Sequence, residues 1–264
     1  QFVGSHLHIA IVGDVDAAAT MQLLESTFGK APKATAPDVA IPVASPITTT
    51  RTISRRGILP IQVVTLAWQS PGITSPKDTV ATDILLTYLN EGSNAKLRQV
   101  LQNGATEDDA DPQQPTGLAG GFSADYLTQH NSGLFLISII APTDVAQATD
   151  AVKNVMMQAQ SGLSPKDLED AKTLLRRQYV QQASNTSGQA GALGFYDTID
   201  SYQYAVNYLD MVQKINSADI AAVAKKYFGA DNYVQINLLP ALGNQQQDNG
   251  AGIVASLGLV EPRV

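Results

Sequence analysis

Residues 163–239 constrain the fold more than any other part of the chain, because two helix starts and a closing strand follow one another there. The run opens Ser164-Pro165-Lys166-Asp167. Ser164 is suited to accept from free backbone N–H groups, Pro165 fits the first helical position, and Asp167 is placed to reach back as in a capping box. Leu168, Ala171, Leu175 and Tyr179 then recur at spacings of three and four, the mark of a helix with one apolar stripe. After a segment that reads as loose (SNTSGQAG), a second helix starts at Ser217. It puts Ile220, Val223, Ala224, Tyr227 and Phe228 on one face and has Gly229 as its expected left-handed stop. Tyr233, Gln235 and Asn237 alternate with Val234, Ile236 and Leu238, so a strand closes the run.

The rest of the chain supplies elements for such a strand to pair with. Residues 6–12 (HLHIAIV) read as a strand, and Asp16 caps a helix carrying Met21, Leu23, Leu24 and Phe28 up to Gly29. Pro32, Pro37, Pro42 and Pro46 mark an extended linker over 31–50, since proline fixes its own backbone angle and offers no donor. A strand is expected over 58–68. A helix from Ser75-Pro76 would bury Ala81, Ile84, Leu85, Tyr88 and Leu89, and a short helix is expected over 94–102. Residues 105–116 (ATEDDADPQQPT) read as a solvent-facing acidic loop. Two antiparallel strands follow over 117–126 and 133–140, then a helix capped by Thr143 or Asp144 that buries Val145, Ala148, Val152, Val155 and Met156. From residue 58 the order is strand, helix, strand, strand, helices, strand. That order points to an α+β fold, a split βαβ (ferredoxin-like) sandwich with a mostly antiparallel sheet and helices on one face. Residues 241–264 read as a flexible spacer with a tail that could dock at 253–260.

The motif L-S-P-x-D-L-x-x-A-K from Leu163, the run S-A-D-I-x-x-V-A-K-K-Y-F from Ser217 and the strand ending L-L-P at Pro240 resemble the second domain of a half of an M16 zinc metallopeptidase, the pitrilysin, insulinase and mitochondrial-processing-peptidase family. V-G-D-V-D from Val12 and F-G-x-x-P from Phe28 resemble the tail of the first domain of such a half. The resemblance covers about residues 6–240. It implies residues 1–30 as the tail of a preceding M16-like domain, 31–50 as the linker, 51–240 as a complete C-terminal-type domain of the LuxS and processing-peptidase metalloenzyme fold, and 241–264 as a tail, the whole being a piece of a longer bacterial-type protein. It further implies that the chain is a non-catalytic domain. Zinc would sit in the parent or partner half, the partner would be an M16 catalytic half, and the substrate an unfolded peptide. The rival is a catalytically inactive M16-like scaffold or assembly subunit.

The family's inverted zinc motif H-x-x-E-H, whose two histidines share a helix face with a carboxylate base, does not occur in this sequence. His6 and His8 share a strand face but bring no third ligand, and His130 falls in a turn. No G-x-S-x-G elbow occurs, and Gly117, Gly120 and Gly121 lead into a strand rather than the helix a dinucleotide site needs. The cluster Glu107, Asp108, Asp109 and Asp111 lacks the glycine and terminal glutamate spacing of a calcium loop. The resemblance leaves one substrate-binding candidate. In the family an Arg on a short helix and a Tyr on the following strand hold the peptide backbone. N-A-K-L-R places that Arg at Arg98, while G-L-A-Y is here Gly117-Leu118-Ala119-Gly120, so the phenol is missing. A net charge of −7 disfavours nucleic acid or an anionic membrane as the main partner, and no apolar run approaches the ~18 residues of a membrane span. The absence of cysteine suits any compartment, the periplasm or the exterior included.

Overall fold

The computed structural model describes residue 4 and residues 7–31, 44–92, 94–102 and 117–240. The acidic loop at 105–116, the tail at 241–264, most of the proline-rich linker and His6 lie outside the described residues. The chain forms two compact units, one from residues up to 44 together with 178–208, the other from 45–177 and 209 onward.

The second unit is built on five strands, β1 (Arg51–Arg56), β2 (Val63–Gln69), β3 (Ala119–Tyr126), β4 (Leu134–Pro142) and β5 (Tyr233–Leu239), in the order β1-β5-β2-β4-β3. Only the β1–β5 pair is parallel. The four strands β2, β3, β4 and β5 have the connectivity and spatial order of a split βαβ sandwich, with β1 added at one edge. Helices α2 (Pro76–Asn90), α3 (Lys96–Leu101), α4 (Val145–Ala159) and α8 (Ser217–Tyr227) cover one face. Helices α5 (Pro165–Gln182) and α7 (Gln203–Lys214) are each divided between the two units, and α1 (Ala17–Thr27) and α6 (Thr186–Ile199) belong to the first unit.

Strand alternation decides which residues make the core. Val64, Leu66 and Trp68 on β2 point toward the helices and are fully buried, as are their partners Ile139, Ile137 and Phe135 on β4. Trp68 meets Phe228 edge-on at 6.4 Å and lies 5.4 Å from Tyr233, while Phe135 packs 4.9 Å from Phe228. The Trp68 indole N–H donates to the Gly229 carbonyl at 3.1 Å, so the buried indole's polar atom is satisfied. On the opposite face Thr65 and Ser138 share a 2.9 Å hydrogen bond, and Ile53, Ile236 and Leu134 are exposed.

Most of the expected helices form with the expected caps. Asp16 accepts from Ala19 N–H at 2.8 Å, and Asp144, rather than Thr143, accepts from Gln147 N–H at 3.0 Å. Ser164 Oγ accepts from Asp167 N–H at 3.1 Å, but the Asp167 carboxylate takes the Ser164 hydroxyl at 2.7 Å instead of a backbone donor.

Four expectations are corrected and one unexpected strand is added. Residues 7–12 form no strand, because no described residue offers them a neighbouring ladder, and a strand without a partner has no regular hydrogen bonds. The strand expected over 58–68 begins only at Val63, with Ile58 94% exposed in a turn. The strand at Arg51–Arg56 carries no strand signal in its sequence, because its three arginines hide any apolar alternation. SNTSGQAG is not loose: Asn185 accepts from Gly188 N–H at 2.8 Å and starts α6. Finally, α8 ends at the cap Phe228, and Gly229 is not left-handed.

Candidate functional site

Arg98 sits on α3, a helix of six residues anchored by the fully buried Leu97 and Leu101. Its C-terminal end is pinned to the start of β3, where Leu118 N–H donates to the Leu101 carbonyl at 2.7 Å. Gly117 permits this approach, since a Cβ there would stand 2.2 Å from the same carbonyl oxygen. The junction brings Arg98 onto β3. One guanidinium nitrogen donates to Gln102 Oε1 at 3.3 Å, the Gln102 amide donates to the Gly120 carbonyl at 3.3 Å, and the guanidinium lies 5.6 Å from the centre of the Phe122 ring. Asn90, at the end of α2, accepts from Ala124 N–H at 3.2 Å.

The structure therefore brings together the two positions that the resemblance paired, Arg98 and Gly120, through Gln102. No local sequence pattern marks Gln102, Phe122 or Asn90. Each acquires its place only when α2, α3 and β3 meet. No other tyrosine on the strand substitutes for the missing phenol. The Tyr126 hydroxyl donates to the Pro71 carbonyl at 3.0 Å, and burial first, then the nearby Asp83 carboxylate, raises its pKa well above the usual tyrosine range. It stays neutral and committed.

His130 is exposed in the β3–β4 connection. In the first unit His8 Nδ1 lies 2.6 Å from Asp197 Oδ2, and Tyr202 N–H donates to Asp197 Oδ1 at 3.2 Å. The His8 hydrogen bond, then the Tyr202 N–H, hold the Asp197 carboxyl below its ordinary value. The pair borders a cavity of about 210 Å³ lined by Ile9, Ala10, Ile11, Leu193 and Gly194. One imidazole and one carboxylate fall short of the three protein ligands that a catalytic zinc takes. Among the described residues no group of three His, Cys, Asp or Glu side chains is placed to hold a metal ion, so the residues present do not fit a zinc centre. No described helix is long and apolar enough to cross a membrane.

Residues 2–175 match the family model described as the peptidase M16 inactive domain. A comparison with curated protein sequences finds no match. Among solved structures the chain is similar to a protease from Helicobacter pylori, with a TM-score of 0.71 and 20% identity over 87% of this chain and 54% of that one. It is also similar to the peptidase M16 inactive domain from Pseudomonas fluorescens, with a TM-score of 0.67 and 18% identity over 89% and 53% of the two chains. A chain of complex III from Candida albicans gives a TM-score of 0.65 at 12% identity over 86% and 53%. The chain thus spans about half the length of each of these proteins. The family match covers well over half of the sequence and the fold is shared, so the chain belongs to the M16 peptidase family, in which it is an inactive, non-catalytic domain.

Proposed function

We propose that this domain lines a peptide-holding chamber and supports a separate M16 half that carries the zinc, in the same polypeptide or in a partner subunit. The observation that carries the reading is the sheet face turned away from the helices. It is open, and it mixes exposed aliphatic groups (Ile53, Ile236, Leu134) with the Thr65–Ser138 hydroxyl pair. Such a surface suits unfolded peptide of varied sequence, because it offers apolar area and few fixed polar demands. Within this reading residues 1–30 are the tail of a preceding domain, 31–50 a linker and 51–240 a complete C-terminal-type domain. The exposed Leu7, Ile9, Ile11, Met21, Leu23 and Phe28 support an unpaired first-domain tail.

Arg98 is the proposed peptide contact, its guanidinium held over Phe122 beside Gly120. The test is Arg98→Ala in the assembled parent. A substrate contact lowers turnover at least tenfold, about 1.4 kcal/mol, with little change in melting temperature. Unchanged turnover removes Arg98 from the site.

A second reading is a catalytically inactive scaffold, favoured by the glycine where the family's phenol stands and by the likeness to a complex III chain. Peptidase activity of the parent supplied with zinc, abolished by a chelator, excludes it. An assembled, zinc-free and inactive parent establishes it.

A further inference from the structure

We infer that the outer edge of β1 is a docking site for an extended acidic peptide with the pattern acidic-x-aliphatic-x-acidic. All six residues of β1 (Arg51–Arg56) are exposed, and among the described residues the strand pairs only with β5. Gly57 N–H donates to the Leu239 carbonyl at 2.9 Å. In a parallel ladder this two-residue period turns the main-chain groups of Arg51, Ile53 and Arg55 toward β5. Those of Thr52, Ser54 and Arg56 face outward, as the template an added strand needs.

The side chains specify what that strand must carry. Register pairs Arg51 with Val234, Ile53 with Ile236 and Arg55 with Leu238, so these three β1 side chains share the open face of the sheet. Arg51 and Arg55 are separated by roughly 13 Å at ~3.3 Å per residue. A neighbouring strand therefore meets, on that face, a cation, an aliphatic group and a second cation at alternate positions. Cross-strand complementarity asks for a carboxylate, an aliphatic side chain and a carboxylate. The pattern reads the same in either strand direction.

The arginines hold this charge in reserve. No described carboxylate forms an ion pair with Arg51, Arg55 or Arg56, whereas Lys77, Lys153, Lys166, Lys172, Lys226 and His8 each face one. Arg55 donates to the Ser54 carbonyl at 2.9 Å and Arg56 to the Pro240 carbonyl at 3.3 Å. The same charges rule out a second copy of β1 as occupant, since arginine would face arginine. A long polyanion is disfavoured too, because it would run past three arginines onto a chain of net charge −7. A short acidic strand stays within the ~8 Å over which the arginines act unscreened.

The site does not depend on the chamber reading, and its test uses this chain alone, so the two can fail separately. Fluorescence anisotropy of the full chain is followed with the labelled peptide Thr-Glu-Thr-Val-Thr-Glu-Thr, blocked at both ends. Saturable, salt-sensitive binding is expected, at least tenfold tighter than for the copy with lysine in place of glutamate. It should weaken at least tenfold in Arg51→Glu/Arg55→Glu, with an unchanged circular dichroism melt as the check on folding. It should weaken equally for a peptide N-methylated at alternate residues, which keeps its charge and loses its donors; this probe needs no variant. Equal binding of the methylated peptide, of the lysine copy, or of an oligonucleotide of the same charge overturns the proposal, as does absence of binding by the acidic peptide.

Discussion

Gly162 shows how one residue can hold two elements together. It lies between α4 and α5 at φ +85°, and a Cβ there would stand 2.3 Å from Ser217 Oγ, the hydroxyl that bonds the Leu163 carbonyl at 2.7 Å. Gly162→Ala is expected to cost at least the ~1–2 kcal/mol of a left-handed backbone, plus the displacement of Ser217. A lower urea midpoint with an unchanged slope is the check. Nothing in the local sequence marks this glycine above the other nineteen, since its neighbour Ser217 is 55 positions away. Arg98 differs in this respect, for its helix was legible. Its partners Gln102 and Phe122 were not, because they lie on another element or at a helix end without a pattern of their own.

At the scale of elements, α2 and α8 are joined by charge as well as by packing. Lys77 in the first turn of α2 pairs with Asp219 in the first turn of α8 at 2.6 Å, and the adjacent Asp78 meets Lys226 at 2.8 Å and the Tyr227 hydroxyl at 3.1 Å. Asp219 also completes a capping box, in which Asn216 accepts from Asp219 N–H at 3.2 Å and Asn216 N–H donates to the carboxylate at 3.0 Å. Burial alone would raise the Asp219 pKa. The bonds from Lys77 and Asn216 together outweigh it and hold the pKa below the ordinary 3.8. A carboxyl depressed in the folded state stabilises the protein above pH 3.8, and that contribution is lost as the pH falls through the lowered value. Acid titration of the melting temperature should therefore flatten below pH ~4 in Asp219→Asn relative to the parent chain. Asn216→Ala should cost about 1 kcal/mol at neutral pH, measured by the same denaturant titration.

At the scale of the whole molecule, two surfaces of the described residues bear on its behaviour in solution. One is the open sheet face with its arginine edge. The other is the first unit's apolar surface, where Met21, Leu23 and Phe28 are each more than half exposed. A surface of this kind on an isolated chain promotes association. Met21→Lys/Leu23→Lys should shift the chain toward monomer in analytical ultracentrifugation at unchanged melting temperature, because α1 buries no residue that the substitutions would expose. The isolated chain supplied with zinc should cleave no peptide, and elemental analysis should find no stoichiometric metal, for want of a ligand set.

The sequence by itself determined the helices α1, α2, α3, α4, α5 and α8, the presence of the strands β2, β3, β4 and β5, the caps at Asp16 and Ser164, and hence the α+β class. Each of these follows from a periodicity or a capping pair within a few residues. The tertiary structure alone decided the rest. It made a strand of the arginine-rich Arg51–Arg56 by offering β5 as its neighbour, and it left residues 7–12 without a ladder by offering none. It started a helix at Thr186 inside a glycine-rich segment, and it set Arg98 over Phe122. Pairing and side-chain contact are properties of distant residues brought together, and local patterns carry no record of which ones will meet.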